Sequence, residues 1–106
     1  MSAEEKFNAI VKNMESKHED VHLGKMMSSP GLKVNNKVFA FYHKETMGFR
    51  LGKKFDAPNF GLKTARWLSP FKTKPPLKAW YIIDFAEVEF WEELTEMALD
   101  FTRQLK

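Results

Sequence analysis

No cysteine occurs in the chain. That excludes a disulfide framework and a thiolate site, and leaves the compartment open. Long apolar runs are missing too. None reaches the length of a signal peptide or a membrane span, and the opening Met1-Ser-Ala-Glu-Glu-Lys is polar with early acids. No membrane association is therefore expected, and a cytoplasmic protein is. Internal repeats, low-complexity tracts and domain linkers are absent. Acids are scarce in one region: residues 25–78 hold 12 Lys or Arg against Glu45 and Asp56 alone. The ends reverse this, with three bases to five acids before residue 25 and two to seven after residue 78. A net charge of +3 thus hides a basic middle between acidic ends. Such a chain folds into an electrically lopsided molecule if its ends pack together.

What is present suits a single soluble domain. The 106 residues are 43% apolar and 29% charged, enough to bury one core and too apolar for disorder. Ten Phe and three Trp are a large aromatic load, most of which must be buried, with some left for an interface.

The stretch from Lys25 to Tyr42 reads as a β-hairpin closed by Asn35-Asn36, with Leu32 and Val34 before the turn and Val38 to Tyr42 after it. Asn accepts the positive φ that a two-residue turn demands. Two helices are signalled at the termini. Ser2 and Glu5 have capping-box spacing ahead of Phe7, Ile10, Val11 and Met14 on one face. Asp84 and Glu87 repeat the box, Ile83 and Val88 suit a hydrophobic staple, and Phe90, Leu94, Met97, Ala98, Phe101 and Leu105 form the buried stripe.

Between the helices the period changes to two. Strands are expected at Val21–Met27, Leu32–Val34, Lys37–His43, Met47–Leu51 and Leu77–Ile83, the third and last apolar on both faces and hence central. Residues 55–76, punctuated by Pro58, Gly61, Pro70, Pro75 and Pro76, read as a packed loop with a short helix or strand. The expected fold class is α+β: an antiparallel sheet of about five strands flanked by N- and C-terminal helices on one face. The second face needs cover from the Phe55–Phe71 segment or from a second copy.

Lys25-Met26-Met27, Pro30-Gly31-Leu32-Lys33-Val34, the turn into Lys37-Val38-Phe39-Ala40-Phe41, and Leu77-Lys78-Ala79-Trp80 together resemble the TfoX N-terminal domain-like family, with YjbR-like proteins as fold relatives. The resemblance spans roughly residues 20–104, most of a domain. The chain departs from the family at Met27-Ser28, where Phe-Gly is frequent, and at Asn36, where Gly is. The resemblance implies a small antiparallel sheet packed by helices, a bacterial source, and an association with competence regulation. In that setting a second domain follows, and this chain does not contain it. It implies no catalytic residues.

Few constellations carry chemistry. His18-Glu19-Asp20-Val21-His22 matches His-Glu-x-x-His, which on a helix would offer two imidazoles to zinc and Glu19 as general base. Gly24 and the strand expected from Val21 oppose that geometry. Gly48 to Lys54 is one residue short of a phosphate loop, and its glycines fall in a strand. Ser28-Ser29-Pro30-Gly31 reads as a turn with no evident His partner. The leading expectation is therefore a non-enzymatic regulatory or interaction domain. Its partner is another protein, or a second copy met through apolar sheet surface. The alternative is nucleic-acid binding through Lys33, Lys37, Arg50, Lys53, Lys54 and Arg66, with Trp67 for stacking; the same lysines could simply guard sheet edges against aggregation. A zinc-dependent hydrolase at His18, Glu19 and His22 comes third. No cofactor, metal or catalytic residue is expected.

Overall fold

A computed structural model describes residues 2–68 and 77–105. Pro70, Phe71, Lys72, Lys74, Pro75 and Pro76 lie outside the described residues. Helix α1 spans Ala3–Lys17 and starts at the expected box: the Ser2 hydroxyl accepts the Glu5 N–H, and the Glu5 carboxylate accepts the Ser2 N–H. It stops at His18, where the backbone becomes extended. Phe7, Ile10, Val11 and Met14 are all buried.

Strands β1 (Val21–Met26), β2 (Ser29–Val34), β3 (Lys37–His43) and β4 (Thr46–Arg50) form a meander. Helix α2 (Ala57–Phe60) and strands β5 (Arg66–Leu68) and β6 (Leu77–Asp84) follow. One antiparallel sheet results, in the order β1-β2-β3-β4-β6-β5. Six strands exceed the expected count by one. The addition is β5, inside the proline-punctuated stretch where a short element was expected.

Three two-residue turns close the meander, and each holds both residues at positive φ: Met27-Ser28, Asn35-Asn36 and Lys44-Glu45. That geometry matches the strand twist, although only the Asn pair is chemically suited to it. Ser29, Pro30 and Gly31 belong to β2, so the expected turn at Ser28–Gly31 shrinks to Met27-Ser28.

Helix α3 (Trp91–Arg103) lies with α1 on one face, and their apolar residues share a core with Leu32, Val34, Phe39, Met47, Phe49 and Ile83. Ion pairs Lys6–Glu92, Lys17–Glu96 and Arg103–Asp20 tie α1 and its exit turn to α3. The helix onset differs from expectation. Residues Phe85–Phe90 form a 3-10 segment, with Glu87 at φ −115°, ψ 34°, and the α-helix begins only at Trp91. Asp84 does cap, accepting the Ala86 N–H at 3.1 Å. Glu87 does not reach back to Asp84. Its carboxylate is drawn to the Lys63–Thr64 loop, which needs an acceptor more than the helix end does.

The far face carries a second apolar cluster, Phe41, Trp80 and Ile82, with Val38 and Leu68 packed against it. One row across the sheet runs Gly24, Gly31, Phe41, Gly48, Ile82 and Arg66. The glycines make room for Phe41. A Cβ on Gly48 would sit 2.3 Å from the Phe41 ring, and one on Gly31 would sit 2.4 Å from the Ala40 carbonyl oxygen and 3.0 Å from the Phe41 Cβ. The cover expected from residues 55–71 divides: Phe55 and Phe60 pack into the helix-side core, while Leu68 joins the far cluster. Phe41, Trp80 and Ile82 are themselves buried. Among the described residues the exposed large apolar side chains are Leu23, Met27 and Trp67.

Candidate ligand-binding site

Strand β5 is the outer strand beside β6, and its register sets the site. Arg66 stands opposite Ile82 and Trp67 opposite Tyr81; a bulge follows before Leu68. Alternation along a strand sends adjacent side chains to opposite faces. Trp67 therefore shares Tyr81's side, while Arg66 belongs to the far-face row. Between β5 and the chain leading into α2 lies a pocket of about 570 Å³, lined by Lys54, Phe55, Asp56, Ala57, Pro58, Ala65, Arg66, Trp67 and Tyr81. Its size is ordinary for a small-molecule site.

The pocket has a firm floor and a cationic rim. Tyr81 is buried, donates its hydroxyl to the Phe55 carbonyl at 3.0 Å, and meets the Phe55 ring edge-on at 5.2 Å between centroids. Trp67 stands 45% exposed, while Lys54 and Arg66 are exposed at the rim. Asp56, the acid among the described lining residues, caps α2 by accepting the Asn59 N–H at 3.2 Å through Oδ1.

Glu87 fixes the loop that delivers β5. It is 8% exposed. It accepts the Lys63 N–H at 2.8 Å, the Thr64 N–H at 2.7 Å and the Thr64 hydroxyl at 2.6 Å. Thr64 Oγ1 in turn accepts the Asp84 N–H at 3.2 Å. Burial alone would raise the Glu87 carboxyl's pKa, but the Thr64 and Lys63 hydrogen bonds outweigh it and hold the group below its ordinary range. The carboxylate thus joins the loop before β5 to the end of β6.

The expected cations divide among three places. Lys54, Arg66 and Trp67 meet at the pocket. Lys33 and Arg50 share the far face with Arg66: Lys33 lies opposite Val38, Arg50 opposite Trp80. The Lys33 stem runs over Gly24, 3.2 Å from where a Cβ would stand. Arg50 is half-buried, and its Nε is buried without a hydrogen-bond partner among the described residues. Asp84 stands at the other end of the same strand pair, opposite Thr46, and is engaged at the Ala86 N–H. Lys37 and Lys53 stand apart. Lys37 pairs with Val34 at the hairpin end and belongs to the helix side; Lys53 is exposed in the turn after β4 and lines no pocket described. Tyr81, Phe55 and Asp56 were not among the expected site residues, and their spacing in sequence carries no signal that they meet.

The His-Glu-x-x-His geometry does not form. His18 closes α1, and His22 is exposed on β1. His18 Nε2 lies 3.0 Å from Glu96, and its Nδ1 lies 3.2 Å from the Arg103 guanidinium, so the ring is committed to the α1–α3 contact. Among the described residues no cluster of His, Asp and Glu could hold a metal ion. Ser29 does have a His neighbour, contrary to the expectation for that segment: its hydroxyl lies 3.2 Å from His43 Nδ1. The pair is solvent-exposed and lines none of the pockets described. Comparisons with family models, curated proteins and solved structures return no match.

Proposed function

We propose that this chain is a non-enzymatic binding domain whose ligand is single-stranded nucleic acid. The observation that carries this is the meeting of Lys54, Arg66 and half-exposed Trp67 around one pocket. Arg50 and Lys33 continue the positive charge across the far face. Phosphates supply salt-dependent affinity through Lys and Arg, while an exposed indole stacks with any base. From β2 to β5 the cations span four strand spacings, about 19 Å, the reach of a short single strand. The buried Nε of Arg50, without a partner among the described residues, suits a guanidinium that takes an anion. The TfoX-like resemblance and its regulatory association are compatible with this reading and do not carry it.

The test is anisotropy of a fluorescein-labelled single-stranded oligonucleotide, titrated with salt. Binding is expected to weaken steeply, and each phosphate-contacting cation removed lowers the log–log slope by about 0.7. The double variant Lys33→Ala/Arg66→Ala should thus lose about 1.4 of slope while its circular dichroism is unchanged. No binding at low salt, or binding indifferent to salt, refutes the proposal.

A second reading, interaction with a protein or a second copy, is favoured by a different observation. Leu23 is 57% exposed on the outer strand β1. It borders a groove of about 610 Å³ with Phe7, Val11, Pro30 and Tyr42.

A further inference from the structure

We infer that the pocket between α2 and β5 is a mononucleotide site, selective for a base carrying an exocyclic amine and for a phosphorylated sugar. The inference rests on the proposed nucleic-acid function and names what the pocket takes. Three chemically different groups line one concavity of about 570 Å³, and each fits a different part of such a ligand. Trp67, 45% exposed, offers aromatic surface on which a planar base stacks. Among the described residues Lys54 and Arg66 are the cations lining the pocket, and Arg66 brings a planar fork that matches phosphate oxygens.

Asp56 gives the selectivity. Its Oδ1 is occupied by the Asn59 N–H, and among the described residues its second oxygen accepts no hydrogen bond. A carboxylate oxygen at the pocket wall accepts from the amine of adenine, cytosine or guanine. Thymine and uracil lack the amine, and their one donor, N3–H, lies between two carbonyl oxygens that repel a carboxylate, so they fit that oxygen less well. An acid beside a phosphate site would be repulsive if it met the phosphate. Commitment of Asp56 to the α2 cap holds it at the base end, leaving the phosphate to the two cations. The Tyr81 hydroxyl is already bonded to the Phe55 carbonyl, so the floor presents ring surface, and stacking rather than hydrogen bonding dominates there.

The test follows the indole N–H resonance of Trp67 by NMR on adding adenosine 5′-monophosphate, thymidine 5′-monophosphate, adenosine or inorganic phosphate. The adenine nucleotide should shift that resonance and bind tightest. Adenosine should bind more weakly than its monophosphate, and the gap should close in Lys54→Ala/Arg66→Ala. Trp67→Ala should lose roughly 5- to 150-fold in affinity, the fold-change for one stacked base. Asp56→Asn keeps a capping side chain, so α2 should persist while the preference for the adenine over the thymine nucleotide falls.

A Trp67 resonance unmoved by the adenine nucleotide overturns the inference, as does equal affinity for adenine and thymine nucleotides. If the oligonucleotide still binds with its salt dependence, the pocket assignment alone has failed. If the mononucleotide binds and the oligonucleotide does not, the pocket stands and the broader function has failed.

Discussion

Glu87→Gln tests how the chain holds its candidate pocket in shape. The wild-type carboxylate takes three donors, the N–H groups of Lys63 and Thr64 and the Thr64 hydroxyl. Two residues further on, the same loop enters β5 and presents Arg66 and Trp67. A glutamine keeps one acceptor oxygen, but its NH2 group now faces a donor. Hydrogen bonds to an ionised group contribute about 1.5–3 kcal/mol against about 0.5–1.5 for neutral ones. The difference, about 1–1.5 kcal/mol for each of three bonds, sets a ceiling of about 4.5 kcal/mol; water reaching the loop relieves much of that, so the expected loss is about 2 kcal/mol. For a chain of this size that corresponds to a fall in melting temperature of roughly 8–15 °C.

Urea unfolding followed by tryptophan fluorescence measures the loss, and its pH dependence identifies the cause. The folded carboxyl sits below its ordinary value because the hydrogen bonds of Thr64 and Lys63 overcome the opposing effect of burial. The unfolded chain therefore binds the proton first as pH falls. The contribution is complete above the unfolded value of about 4.3 and is lost as pH drops through the folded one. The gap between wild type and Glu87→Gln should be constant near neutrality and narrow in acid. A variant within about 0.5 kcal/mol of wild type at neutral pH, or a gap that does not narrow below about pH 4, would show that the carboxylate is not holding the loop.

Two further outcomes test the sheet. Lys44 and Glu45 both sit at positive φ, so Lys44→Asn/Glu45→Gly should raise stability by about 1–2 kcal/mol, read as a higher urea midpoint at unchanged slope; a neutral or destabilising result refutes the strain. Gly48→Ala would place a Cβ 2.3 Å from the Phe41 ring and should cost about 2 kcal/mol or more, whereas Gly48→Ala made together with Phe41→Leu should recover part of that loss. Additive losses in the double variant would show that the ring is not what requires the glycine.

Much of the fold is local and was legible in sequence. The Ser2–Glu5 box, the apolar spacing of Phe7 to Met14, and Asn35-Asn36 each act within a few residues, and each forms as read. Period-two patterning placed the central strands because a strand buried on both faces must be apolar at every position. The placement of both terminal helices on one face was legible as well, since each carries a single apolar stripe that only one shared core can bury.

The site was legible in part, through residue types. Arg66, Lys54 and Trp67 stood out for charge and aromaticity, but what unites them is the pairing of β5 with β6 and the return of residues 54–58 beside Tyr81. The Asp84–Glu87 spacing misled for the same reason. A capping box is a local choice, and two backbone N–H groups from a loop more than 20 residues away competed for the carboxylate and took it.

By itself, then, the amino-acid order settled the near-neighbour decisions: which segments are helical or extended, where the Asn hairpin turns, and which stripe each terminal helix buries. Only the assembled sheet decided which cations stand together, why Gly48 must lack a side chain, and which loop captures Glu87. Those outcomes depend on strand order and register, quantities summed over the whole sheet rather than encoded in any short window.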